Sequence, residues 1–221
     1  SATRAYGRWH AFTDVPRGSE DRDEVDVRER RAAFARYADL MLGCNDLVED
    51  LPRVDGILPY PFPTAEWTPV PEVDDGIVTV VHPANHRHYK GTRYLEEAVA
   101  ELQGEGFPVE LVLVEGVPLN EARRIYERAD IVATDFLIGG YALAAIEAMA
   151  LGKPVVAYLP ERLRRLHAEW ADAPIVDASP ETLVGELRRL VENRSLRQSL
   201  GARGPAYVER VHGLTAVGTL M

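Results

Sequence analysis

Residues 80–92, VVHPANHRHYKGT, place three histidines, an arginine and a lysine between a β-branched run and a helical stretch. A strand that ends in such a loop and enters a helix at Gly91-Thr92 presents free backbone N–H groups and a positive helix end at a sheet's carboxyl edge. Open α/β sheets bind anions there. Lys90 and Arg87 at that mouth have the charge to complement a diphosphate. Neither GxxxxGK[ST] nor GxGxxG is present, and a solvent-facing basic loop is the competing reading. His82 and His86 are four apart, but Pro83 breaks the helical geometry that would turn both onto one metal. No neighbouring carboxylate completes a ligand set with them and His88. His82, Asn85 and His86 are read instead as loop polar groups within reach of a substrate.

A second constellation lies in ADIVATDFLIGGYALAAIEAMALGKPVVAYL, 129–159. A strand ends at Thr134-Asp135, and a turn at Gly139-Gly140 leads into a helix of small residues. Glu147 sits in this otherwise apolar helix. A buried, unpaired carboxylate costs several kcal/mol, so Glu147 must meet a partner or face a cleft. One reading is an ion pair with an arginine; the other is an acceptor for paired ligand hydroxyls such as those of a ribose. Asp21 and Asp23 match a metal-carboxylate pair in form, but they lie in the charged run GSEDRDEVD (18–26) and are read as solvated. Cys44 is the only cysteine, which excludes an internal disulfide and a multi-cysteine metal site. It is read as core. No GxSxG elbow occurs.

The elements that must hold these residues follow from periodicity. Apolar β-branched runs at 77–81, 109–114, 130–134, 154–158 and 174–177 predict strands covered on both faces. Between and after them, helices are expected at 91–103, 119–128, 140–151, 160–170, 180–192 and 194–210. In the first, Tyr94, Leu95, Ala98 and Leu102 share a face. Ser179-Pro180 reads as the start of the helix at 180. Alternation at this spacing means βαβ units in a doubly wound parallel sheet. Upstream, a helix over 27–37, a strand at 39–43 and a short helix at 46–51 precede a proline-rich stretch with prolines at 59, 61, 63, 69 and 71. The resulting division is a segment 1–60, an extended linker 61–75 and an α/β domain 76–221.

The chain's 221 residues are 46% hydrophobic and 27% charged, with a net charge of −10. No basic block interleaves with aromatics, which argues against nucleic acid and anionic membranes as partners. No apolar stretch reaches the roughly 20 residues of a membrane span, and no signal-peptide core opens the sequence. A cytoplasmic location is expected.

The segments HPANHRHYKGTRYLEEAVAEL, VELVLVEGVPLNEARRIYERADIVATD and GGYALAAIEAMALGKPVVAYL, in that order, resemble the C-terminal nucleotide-sugar-binding lobe of family 4 glycosyltransferases, which have the GT-B fold. The resemblance covers about 76–212, and EAMALGKPVVAY is its most specific part. Residues 17–70 are similar to the end of such an enzyme's first, acceptor-binding lobe. The resemblance implies transfer of a sugar from a nucleotide diphosphate sugar to an acceptor, with retention of configuration and no protein-bound metal or other cofactor. It places Lys90 on the donor diphosphate, helped by Arg87 and by N–H groups near Gly139-Gly140. Glu147 matches the second glutamate of the Glu-x7-Glu motif, which holds the ribose. The first glutamate of that motif, the sugar contact, falls on Gly139, and the usual arginine falls on Ala84. Asp135 and Tyr141 are similar to a variant subset, with Phe136 and Ala142 departing from its pattern, and the resemblance makes both expected substrate contacts. A catalytically inactive nucleotide-binding relative and a nucleotide-sugar epimerase are the rival readings. The short first part implies a fragment or a self-associating chain that binds nucleotide but turns over negligibly.

Overall fold

The computed structural model describes residues 20–73 and 75–220, and at 20–28, 46, 47 and 50 the backbone only. The Asp21–Asp23 pair's side chains and the expected segment before Glu20 thus lie outside the described residues. Five strands form one parallel sheet in the order β4-β3-β5-β6-β7: β3 Val78–Pro83, β4 Val109–Val114, β5 Ile131–Ala133, β6 Val155–Ala157 and β7 Ile175–Asp177. Val80, Val81, Ile131, Val132, Val155 and Val156 are fully buried, as strands covered on both faces require. Each such side chain contributes roughly 1.5–3 kcal/mol when taken fully out of water.

A helix α1, Glu20–Tyr37, starts earlier than the charge pattern suggests, because Glu and Arg are good helix formers even without an apolar face. The strand expected at 39–43 shrinks to β1 Leu42–Gly43, which pairs in parallel with β2 Gly56–Ile57. The short helix at 46–51 is a 3-10 turn, Asn45–Asp50.

Between strands, the helices wind over both faces of the sheet. A single turn, α2 Arg87–Lys90, precedes α3 Thr92–Gly104. Then come α4 Leu119–Arg128, α5 Leu143–Ala150, α6 Glu161–Arg164, α7 Leu183–Glu192, α8 Arg194–His212 and α9 Leu214–Gly218. On one face Leu95, Ala98 and Leu102 of α3 pack with Leu183, Leu187 and Leu190 of α7. On the other, Ala122 and Tyr126 of α4, Ile146 and Met149 of α5, and Tyr207 and Val208 of α8 form a second core.

The helix expected over 160–170 breaks after one turn, and the chain resumes as a 3-10 turn, Ala168–Asp172. His167 leaves helical geometry and stacks on Trp170 at 4.3 Å. The Ser179 carbonyl accepts from the N–H groups of Thr182 and Leu183, so Ser179-Pro180 makes a turn and α7 begins only at Leu183.

The stretch expected to be a linker is extended but packed. Phe62 and Trp67 are buried members of the second core, and Phe62 N–H donates to the His212 carbonyl at 2.7 Å. Val70 N–H donates to the Leu151 carbonyl, and the Arg123 guanidinium lies 4.7 Å over the Trp67 ring. Proline removes donors here but leaves aromatic anchors at the intervening positions.

Candidate functional site

Strand order reverses its direction of winding between β3 and β5, and their carboxyl ends open the crevice where such sheets bind ligands. The loop after β3 and the loop after β5 are stitched together there, Phe136 N–H donating to the Lys90 carbonyl at 3.0 Å. Lys90 Nζ lies 3.8 Å from Asp135 Oδ2. Burial pushes the Asp135 carboxyl up, and the neighbouring ammonium opposes that shift. Asp135 Oδ1 and Thr134 Oγ1, adjacent at the end of β5, are both buried without a hydrogen-bond partner. Two orphaned polar atoms beside a lysine mark a place where a polar ligand gains more than it loses.

Two residues expected to touch substrate are instead structural. His82 is fully buried; its Nδ1–H donates to the Ala133 carbonyl at 2.6 Å and its Nε2 accepts from the Thr92 hydroxyl at 2.8 Å. Burial lowers its pKa to about 4, so the ring is neutral and ties β3 to β5 and to the start of α3. With both nitrogens engaged, it has none for substrate or metal. Tyr141 is buried too, its hydroxyl 2.5 Å from that of Tyr207 and 3.1 Å from His212 Nε2. His212 Nδ1–H donates to the Tyr60 carbonyl. Among the described residues, no group of three or more His, Cys, Asp or Glu could hold a metal.

Arg87 is engaged at the rim. Its guanidinium forks onto Glu115 at 2.8 and 2.6 Å and reaches Glu96 at 3.4 Å. These pairs hold its pKa above the ordinary value, and a phosphate must compete with Glu115 for it. Asn85 Oδ1 accepts from Gly116 N–H at 3.3 Å, and His86 adopts a left-handed conformation with φ 66°. Glu115 and Gly116 enter the site from the loop after β4. Sequence spacing gave no signal for them, because only the sheet brings that loop beside residues 85–87.

The glycine turn has φ of 89° at Gly139 and 94° at Gly140. A Cβ at Gly139 would lie 2.6 Å from Pro160 Cγ, so this turn has no room for the glutamate found there in the family resembled. The Gly140 N–H donates to the Tyr158 carbonyl at 2.8 Å and is not free for a diphosphate, contrary to expectation. The turn is also held from upstream. Asn45 Nδ2 donates to the Tyr141 carbonyl at 2.7 Å, and Arg162 bridges Glu49 and the Ile138 carbonyl. Glu147, on the second turn of α5, is half-buried and has no ion-pair or hydrogen-bond partner among the described residues. Desolvation pushes its carboxyl up to about 7. The arginine partner of the ion-pair reading is thus absent among those residues.

No curated protein matches this chain. Sucrose-phosphate synthase from Thermosynechococcus elongatus is similar in structure at 15% identity and a TM-score of 0.71, over 100% of this chain and 64% of that one. TarM from S. aureus, as a mutant in complex with UDP among other ligands, gives 13% and 0.67, over 95% and 47%. Anabaena HepE, in complex with UDP and glucose, gives 14% and 0.65, over 89% and 65%. The chain thus spans between about half and two thirds of the length of these structures, and at such identities the likeness establishes the GT-B type of α/β fold alone. The family model described as glycosyl transferases group 1 matches residues 91–207, more than half of the chain. The chain belongs to the group 1 glycosyl transferases.

Proposed function

We propose that this chain is the donor-binding part of a glycosyltransferase that moves a sugar from a nucleotide diphosphate sugar, UDP-linked like the UDP-glucose bound by HepE, to an acceptor. The observation that carries this reading is the placement of Lys90 at the β3–β5 crevice, 3.8 Å from Asp135 and next to two unsatisfied polar atoms. Lys90 meets the diphosphate and stabilises the charge that develops on it as the glycosidic bond breaks. Glu147, half-buried and unpartnered among the described residues, accepts from the ribose hydroxyls. Assignment to family 4, retention of configuration and independence from a resident cofactor or metal belong to the same reading. So do a cytoplasmic location and the division into a partial first lobe before residue 61 and a donor lobe after residue 75. No described helix is long and apolar enough to cross a membrane.

The absence of a side chain at Gly139 favours a second reading, a relative that binds nucleotide without transferring sugar. Titration calorimetry of Lys90→Ala tests the donor site. UDP affinity should fall about ten- to a hundredfold, the worth of a charge-assisted hydrogen bond, while uridine affinity stays nearly unchanged. Equal losses for both ligands would remove Lys90 from the phosphate site. Hydrolysis of UDP-glucose then separates transferase from binder, and the identity of the released sugar exposes an epimerase.

A further inference from the structure

We propose that the open edge of the sheet, β4 with the groove beside α4, is the surface on which two copies of this chain pair. Their β4 strands run antiparallel about a two-fold axis at Val112. β4 is the last strand of the sheet on that side. It meets β3 through its even-numbered residues: Val78 N–H donates to the Pro108 carbonyl and Ala84 N–H to that of Val114. The strand's period of two therefore turns the N–H and C=O groups of Val109, Leu111 and Leu113 outward. Val109 is closed off, its N–H donating to the Phe107 carbonyl at 2.9 Å and its carbonyl accepting from Gln103 Nε2 at 2.8 Å. Leu111 and Leu113 have no such cover among the described residues, which leaves two donors and two acceptors in line on the edge.

Exposed edges are ordinarily blunted by proline, lysine, a bulge or a covering segment. The sequence VELVLV has neither proline nor lysine, and its register with β3 is continuous from Val109 to Val114, with no bulge. Its one charged residue, Glu110, hydrogen-bonds Thr79 Oγ1 at 2.8 Å, back across β3 and away from the edge. Self-pairing fits the open groups in one register. With Val112 opposite Val112 of the partner subunit, Leu111 of each copy lies opposite Leu113 of the partner subunit. Antiparallel strands exchange both bonds at alternate positions, so the two open donors of each copy find the two open acceptors of the other.

Charge selects the same partner. A groove of about 640 Å³ lies on the open face beside Val112, walled by Glu121, Arg124, Ile125 and Arg128 of α4. Spaced at i, i+3, i+4 and i+7, these four share one helix face. Glu121, Arg124 and Arg128 have no ion-pair partner among the described residues, whereas Arg123 and Glu127, on another face, pair with each other at 3.1 Å. A two-fold axis normal to the sheet keeps both grooves on one side and sets the two α4 helices antiparallel across the seam. Glu121 of each copy then faces the Arg124–Arg128 turn of the other, so charges left unpaired in one copy are complemented in two.

Analytical ultracentrifugation of the whole chain reads the pairing directly. At about 200 μM, where an association of about 10 μM strength is largely complete, the chain should sediment at twice its own mass. Val112→Lys sets two ammonium groups against each other on the axis and should leave single chains. In that variant the Leu111 and Leu113 amides should exchange with solvent about tenfold faster or more, since the bonds that protect them are lost. Arg128→Glu and Glu121→Arg, both at exposed positions outside the donor site, should each weaken pairing about tenfold, because the two-fold axis repeats every altered contact. The double variant Glu121→Arg/Arg128→Glu should restore most of it, because these charges meet only between copies. The charge exchange decides the matter if Val112→Lys does not fold. A single-chain mass at about 200 μM would overturn the proposal, as would a mass that keeps growing with concentration. So would a dimer that Val112→Lys leaves intact, or a double variant that pairs no better than the single ones.

Discussion

Glu147 carries a carboxyl that titrates near 7 in the folded chain against an ordinary 4.5. Between those values the folded state keeps a proton that the unfolded chain releases. Stability therefore falls as pH rises through this window and levels off above it. Glu147→Gln should lose that slope and melt at or above the wild-type temperature at pH 8, as thermal scans over a pH series would show. Nucleotide binding responds with the opposite sign. A ribose hydroxyl pair needs the ionised acceptor, so UDP affinity should rise with pH up to about 7, whereas the Gln variant should show a flat profile and bind about tenfold more weakly at pH 8. His82 opposes the stability trend from below. Its neutral, buried ring must stay unprotonated while unfolded histidine charges under pH 6.5, so stability is lost as pH falls from 6.5 toward 4. The positions of Lys90 and Glu147 were legible because an isolated charge in an apolar or turn context has few explanations. His82 and Tyr141 were misread because residue type does not reveal burial: a polar ring beside a mouth and one locked under it look alike in sequence.

Among the elements, the long ones were legible and the short ones were not. The apolar runs of β3 and β4, six residues each, and the apolar spacing of α3 over thirteen residues announce themselves. The single turn α2 and the break at His167 depend on contacts with Phe136 and Trp170, which periodicity cannot register. The glycine turn is the element where a substitution is most informative. Gly139→Glu restores the side chain that the family resembled has there, yet it forces a left-handed backbone at φ 89° and a contact with Pro160. It should destabilise the chain by about 1–3 kcal/mol and add no transfer activity, as melting and a sugar-release assay would show. Where α8 crosses α5, a Cβ at Gly204 would lie 2.4 Å from the Met149 carbonyl oxygen, a backbone atom that cannot swing aside. Gly204→Ala should therefore part the two helices, costing about 1–3 kcal/mol, and with α5 displaced should also weaken UDP binding.

On the scale of the whole molecule, the described residues supply one five-stranded sheet and only a two-stranded parallel pair beside it. A reaction in a cleft needs a second wall to exclude water and orient the acceptor. The purified chain is accordingly expected to bind UDP while transferring sugar from UDP-glucose at a negligible rate, and robust transfer by this chain alone would show that the wall is not needed. Composition located the proline-rich stretch but not its packing, because proline content reports backbone stiffness and not what the intervening aromatics pack against. Phe62 and Trp67 have a practical consequence for dissecting the protein. Connections between lobes are ordinarily where proteases nick first and where pieces are cut apart for separate study. Here such a cut would pull two aromatic plugs from their sockets, at about 3–5 kcal/mol for each emptied site. A piece begun at Gly76 should precipitate, one begun at Ile57 should stay in solution, and chymotrypsin should spare both aromatic positions until the whole chain melts.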